Sequence, residues 1–167
     1  FAAYPGFLSN ASRYAWYMTV YNGGSQQKIQ MEDATGPTAW GAKGEASYWY
    51  RLAKEYDDVY AQELGYDFAE TEYVTDYIWL DTSVAEGDHT TLPLAREFND
   101  LGYTIWRDSW NDSTATVVLF KSGRSIGHAH PNQNSFMVYK NGVPLTGGTG
   151  YLTGSENFKS SVLSNSI

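Results

Sequence analysis

NSFMVYKNGVPLT, residues 134–146, joins two short runs rich in β-branched and aromatic residues across Asn141-Gly142. Asparagine and glycine both tolerate the positive φ that a tight two-residue hairpin turn requires, so the stretch predicts a β-hairpin. Upstream, YTIWR (103–107) and TATVVLF (114–120) are runs of the same kind. Runs of four to seven such residues at short spacing predict an antiparallel sheet after Pro93.

Before Pro93 the periodicity is helical. In SNASRYAWYMTVYNGG (9–24), Ser9 or Asn10 can cap a short helix, and Tyr14, Tyr17, Met18 and Tyr21 repeat at helical spacing until Gly23-Gly24. GEASYWYRLAKEYDDVYAQELG (44–65) places Trp49, Leu52, Ala53, Tyr56, Val59, Tyr60 and Leu64 on one helical face. There Gly65 falls where a C-cap belongs, and Glu55, Asp57 and Asp58 read as a solvated face. AETEYVTDYIWL (69–80) predicts a shorter helix, and DTSVAEGDHTTLP (81–93) a turn-rich connector in which His89 is solvated. The order of elements gives an α+β chain, with a helical part over 1–90 and a β part over 91–167.

Composition narrows the function. Nineteen acidic and eleven basic residues give a net charge of −8 over 167 residues, and the basic ones are scattered. Nucleic-acid binding needs clustered Lys and Arg, so it is not expected. No apolar run approaches membrane-spanning length, and no membrane association is expected. Without cysteine there is neither a disulfide framework nor a thiolate metal site. Fourteen Tyr and six Trp suit either stacking on sugar rings or core packing. The start at Phe1 and the strand-like SVLSNSI at the end suggest a piece of a larger chain.

The residues with the most chemistry lie in GHAHPNQNSF (127–136). If that segment is extended, His128 and His130 point to one side and can begin a metal site; otherwise they edge a polar loop. Gln133 and Asn134 can donate to a sugar or cap the hairpin. A cupin-like metalloenzyme is one alternative, since Gly123, His128, His130 and Gly142 follow its first motif, but Asn134 or Ser135 stands where its Glu belongs. Nor does a cupin account for a helical first half.

YPGF, MEDA, YTIWRDSW, VVLFKSG, GHAHPNQNSF, NGVPL and GTGY, in this order and spacing, make the chain resemble the heparinase II/III-like polysaccharide lyases. The resemblance implies the C-terminal helices of an (α/α) toroid over 1–90, followed by the start of an antiparallel β-sandwich over 91–167. It implies β-elimination on a uronate-containing polysaccharide, an acidic polysaccharide as partner beside the rest of its own parent chain, and a secreted or periplasmic location. It gives His128 the role of carboxylate neutralisation or proton transfer. Arg107 becomes a uronate-binding or loop-fixing group, and both count as catalytic candidates. Gln133, Asn134 and Tyr151 become substrate-binding candidates. The upstream Tyr, Asn and His of such lyases have no counterpart here, so the chain by itself is expected to show little turnover.

The departures bear on metal. Where such lyases often carry acids or a histidine, this chain has Asn132, Gly148 and Ser164, with Asn165 following. His130 is the retained zinc-ligand position, with Asn165 a weak partner, and a firmly held zinc needs three or four ligands. No cofactor is therefore expected with certainty, and zinc at His130 would be weakly held. The same departures sustain a rival reading, a non-catalytic carbohydrate-binding or scaffold protein of the same architecture.

Overall fold

A computed structural model describes residues 5–23, 25–29, 45–69, 73–110, 113–123 and 133–146. Contacts divide the chain into one compact unit of Phe1–Met18 with Trp40–Leu92, and a second of Thr19–Ala39 with Pro93–Ile167.

The first unit is helical: α1 (Pro5–Leu8), α2 (Ala11–Tyr17), α3 (Glu45–Tyr56), α4 (Val59–Phe68) and α5 (Val74–Trp79), then a 3-10 turn over His89–Thr91. Several expectations are corrected here. The helix expected through Tyr21 stops at Tyr17, and Thr19–Asn22 is a strand. The long helix expected over 44–65 is two helices, because Asp57 takes φ 51° and Asp58 starts again as an N-cap. The Asp58 carboxylate accepts the Tyr60 N–H at 3.1 Å, the Ser12 hydroxyl at 2.6 Å and an Arg13 guanidinium N–H at 3.3 Å. Those three donors are what allow the carboxylate to be buried rather than solvated. Gly65 lies inside α4, not at its C-cap, and a Cβ there would overlap the Tyr50 ring of α3, so its small size sets the approach of α3 to α4.

A further correction concerns His89, which is buried. Its backbone N–H donates to both Glu63 carboxylate oxygens at 2.9 and 3.1 Å, and its Nδ1 lies 2.6 Å from Glu63 Oε1. The imidazole stacks on Trp16 with ring centroids 3.7 Å apart and planes 9° from parallel. A histidine in a turn-rich connector reads as solvated because nothing local supplies its partners; here a helix 26 residues away does.

The second unit is β. β1 (Thr19–Asn22) pairs antiparallel with β2 (Ser25–Lys28). β3 (Ala95–Phe98), β4 (Tyr103–Arg107), β5 (Thr116–Lys121), β6 (Ser135–Lys140) and β7 (Val143–Thr146) form an antiparallel sheet in sequence order. The expected hairpin is present, with Asn141 at φ 55° and Gly142 at φ 72°. β1, β2 and β3 add strands that periodicity did not single out.

Alternation along β4, β5 and β6 sends one residue in two to a buried face. Cross-strand register orders that face into three rows: Tyr103, Lys121 and Ser135; Ile105, Leu119 and Met137; Arg107, Val117 and Tyr139. The middle row is wholly apolar. Each outer row contains one cation, so Arg107 and Lys121 sit at opposite ends of the same face.

Candidate functional site

His128, His130 and Tyr151 lie outside the described residues, as do Asn132, Gly148, Ser164 and Asn165. The described residues instead define both ends of the segment that carries the histidines. β5 leads into Ser122-Gly123, and Gln133-Asn134 lead into β6.

Side chains join those ends. Gln133 Oε1 accepts the Gly123 backbone N–H at 2.7 Å, and Asn134 Oδ1 accepts the Ser122 hydroxyl at 2.7 Å. Asn134 holds φ 56°, a left-handed conformation that asparagine tolerates. The turn before β4 closes in as well: the Ser122 N–H donates to the Gly102 carbonyl at 2.7 Å, and a Cβ on Gly123 would overlap the Leu101 carbonyl oxygen. Of the two roles open to Gln133 and Asn134, both side-chain carbonyls are engaged in closing the hairpin end.

Arg107 is not brought to this place. It lies four residues along β4 from Tyr103, roughly 13 Å at the rise of an extended strand, in the row farthest from Lys121. Its Nη2 donates to the Thr19 carbonyl at 3.0 Å, and its guanidinium lies 3.8 Å from the centroid of the Trp110 ring. With Val20, Tyr21, Ser109, Ala115, Val117 and Gly142 it lines a hollow with room for about one water molecule, too small for a sugar ring. The guanidinium is buried, and its contacts are those of a group that fixes β1 and the 107–110 segment.

Lys121 was not singled out by periodicity or motif, although the parity of Val117, Leu119 and Lys121 places it on the buried face. At 2 % exposure it is enclosed, and burial pushes its amine down to about 8 from the usual 10.5. A proton leaves the folded form near pH 8 but stays on the unfolded chain until about 10.5, so between those values the unfolded chain binds more protons and stability rises with pH. The burial cost is full below pH 8. Urea denaturation is expected to show a gain of up to about 2 kcal/mol between about pH 7 and about pH 9.5. Lys121→Met is expected to flatten that rise; a rise that persists in the variant would remove Lys121 as its source.

Among the described residues no group of three or more His, Cys, Asp or Glu is placed to hold a metal ion, and no helix is long and apolar enough to cross a membrane.

No family model matches the sequence, and no curated protein matches it. Solved structures do match. A heparinase III gene product aligns with 89 % of this chain and 22 % of its own length, at 20 % identity and a TM-score of 0.55. The same gene product with methylated lysines aligns with 89 % of this chain and 21 % of its own, again at 20 % identity and 0.55. The chain therefore spans about a fifth of the length of the structures it is similar to. At this identity the likeness concerns the fold, and the fold of this chain is heparinase-like, helices followed by an antiparallel sheet in a mixed α+β arrangement.

Proposed function

We propose that the chain is a segment of a polysaccharide lyase that cleaves a uronate-containing glycan by β-elimination. The observation that carries this reading is the likeness to heparinase III over 89 % of the chain, helices and sheet together. The sequence motifs around His128 point the same way, and a helical unit has no counterpart in the cupin alternative.

In the reaction a base takes the proton from the carbon beside the carboxylate. The electron pair forms a double bond to the next carbon, the glycosidic C–O bond breaks, and the departing oxygen takes a proton. The carboxylate must be neutralised because the carbanion would otherwise stand beside a negative charge. We assign His128 to carboxylate neutralisation or proton transfer, both within reach of an imidazole that titrates near neutrality. Arg107 is assigned to holding β1 rather than uronate, because its guanidinium is enclosed against Thr19 and Trp110. No step is routed through a metal. An acidic polysaccharide as substrate and a secreted or periplasmic location follow from the reading.

A non-catalytic carbohydrate-binding protein of the same fold is the second reading, favoured by Asn132, Gly148 and Ser164 at positions where such lyases carry acids or histidine. Ultraviolet absorbance of the unsaturated product separates the two. The protein containing this chain is expected to generate it from at least one of alginate, glycosaminoglycans and ulvan, and His128→Ala is expected to lose the signal while remaining folded. Absence of product with every polymer, together with retained binding, would establish the second reading instead.

A further inference from the structure

Asn22-Gly23 follows β1 and Asn141-Gly142 follows β6, so the β unit turns twice on the same pair of residues. An asparagine followed by glycine is open to self-modification, because a residue without Cβ leaves its backbone nitrogen unhindered for attack on the asparagine amide. The two pairs share a sequence but not a setting. We propose that Asn22 is a site of spontaneous deamidation, with water as the co-reactant, and that the fold shields Asn141 from the same reaction.

In this reaction the Gly23 nitrogen bonds to Asn22 Cγ, the Cγ–Nδ2 bond breaks, and ammonia leaves carrying the Gly23 amide proton. A five-membered succinimide ring results, and water opens it at either carbonyl. One opening gives aspartate. The other gives isoaspartate, whose main chain runs through the former side chain and is one carbon longer. Nothing is oxidised or reduced. Ring closure requires rotation about the Cα–C bond of the asparagine, so every backbone contact that opposes this rotation slows the reaction.

At Asn22 that opposition is weak. Asn22 pairs with Ser25 at the closing end of a two-stranded ladder, an arrangement that is marginal by itself. Gly23 is exposed, and a Cβ there would meet nothing within 4 Å, so the turn has space to move. Asn141 is held more closely. Its N–H donates to the Ala115 carbonyl at 3.2 Å, which ties the turn to the residue ahead of β5. Gly142 is buried against β1, where a Cβ would overlap the Tyr21 carbonyl oxygen and lie 2.7 Å from the Asn22 nitrogen. Rotation at Asn141 therefore drives Gly142 against backbone that cannot turn aside. The two turns meet, and Asn22 is part of the surface that holds Gly142. Isoaspartate at position 22 lengthens β1 at that contact, so modification of Asn22 loosens the shield over Asn141.

The test incubates the native chain at mildly alkaline pH, then unfolds it and digests it with trypsin, which places Asn22 in Tyr14–Lys28 and Asn141 in Asn141–Lys159. Mass spectrometry reads the small gain of each amide converted to acid, and an isoaspartyl methyltransferase labels the isoaspartate. Asn22 is expected to convert about tenfold faster than Asn141 or more, and in denaturing urea the two rates are expected to agree within about threefold. Gly23→Ala sets a methyl group beside the attacking nitrogen and is expected to slow conversion at Asn22 about tenfold while leaving Asn141 unchanged. Chain already carrying isoaspartate at position 22, separated by ion exchange, is expected to convert Asn141 about threefold faster than unmodified chain. Equal native rates, a faster Asn141, or an Asn22 that stays intact in the native chain would each overturn the proposal. So would a native ratio that persists in urea, which would place the difference in the sequence rather than the fold. A conversion indifferent to Gly23→Ala would replace ring closure by direct hydrolysis, and an Asn141 rate unmoved by isoaspartate at position 22 would sever the two turns; either result overturns the proposal as stated.

Discussion

Gly142→Ala is expected to destabilise the β unit by about 3 kcal/mol, the sum of two separable costs. Gly142 holds φ +72° in the turn between β6 and β7, a conformation that costs an L-residue about 1 kcal/mol. The second cost is contact. An alanine Cβ would overlap the Tyr21 carbonyl oxygen and lie 2.5 Å from the Tyr21 carbonyl carbon and 2.7 Å from the Asn22 nitrogen. These are backbone atoms of β1, which cannot rotate aside, so β1 or the turn must shift. Gly23 is the control: it also has positive φ, +58°, but a Cβ there would meet nothing within 4 Å. Gly23→Ala should therefore show the dihedral cost alone. Urea denaturation of both variants reads the difference, expected at about 2 kcal/mol. Equal losses would mean that β1 does not press on the turn. A displaced β1 also carries Thr19 away from Arg107, leaving an enclosed guanidinium without the carbonyl that holds it.

That contact marks the limit of what the sequence discloses. Asn141-Gly142 announces its turn because the conformation is local, and β4 to β7 are legible because alternation is local too. Nothing local says that Gly142 must also admit β1. Thr19, Val20 and Tyr21 satisfy two patterns at once, since Tyr14, Tyr17, Met18 and Tyr21 recur at helical spacing while Thr19-Val20-Tyr21 is also a β-branched and aromatic run. Pairing of these residues with Lys28, Gln27 and Gln26 decides for the strand. Asp58 shows the same limit with charge: beside Glu55 and Asp57 it looks solvated, and only Ser12 and Arg13 from a distant stretch make it an interior cap. At the candidate site, the residue types at 133 and 134 were readable as sugar donors or as hairpin caps. Which of the two they are depends on Ser122 and Gly123 lying opposite, a consequence of β5–β6 register.

Glu63→Ala is expected to cost the helical unit about 3 to 5 kcal/mol, because it strips a buried turn of its acceptor. The Glu63 carboxylate takes the His89 backbone N–H with both oxygens and the ring Nδ1 with one. Alanine leaves a buried N–H and a buried ring nitrogen facing the space the carboxylate vacated, and each group stranded from its partner costs about 1 to 3 kcal/mol. The loss spreads through contacts that depend on the imidazole plane. Trp16 stacks on it and donates its indole N–H to the Tyr60 carbonyl at 3.3 Å, so the ring, α2 and the start of α4 are held through one side chain. Glu63→Gln keeps an oxygen for the backbone N–H but weakens charge-assisted acceptance, and should cost about half as much. Urea denaturation followed by far-ultraviolet circular dichroism, which reads the loss of the helices, measures both variants. A loss under about 1 kcal/mol for Glu63→Ala would show that the connector is anchored by something other than this carboxylate. The expected order, alanine far below glutamine and glutamine below the native chain, follows only if α4 is what fixes the end of the helical unit just ahead of Pro93.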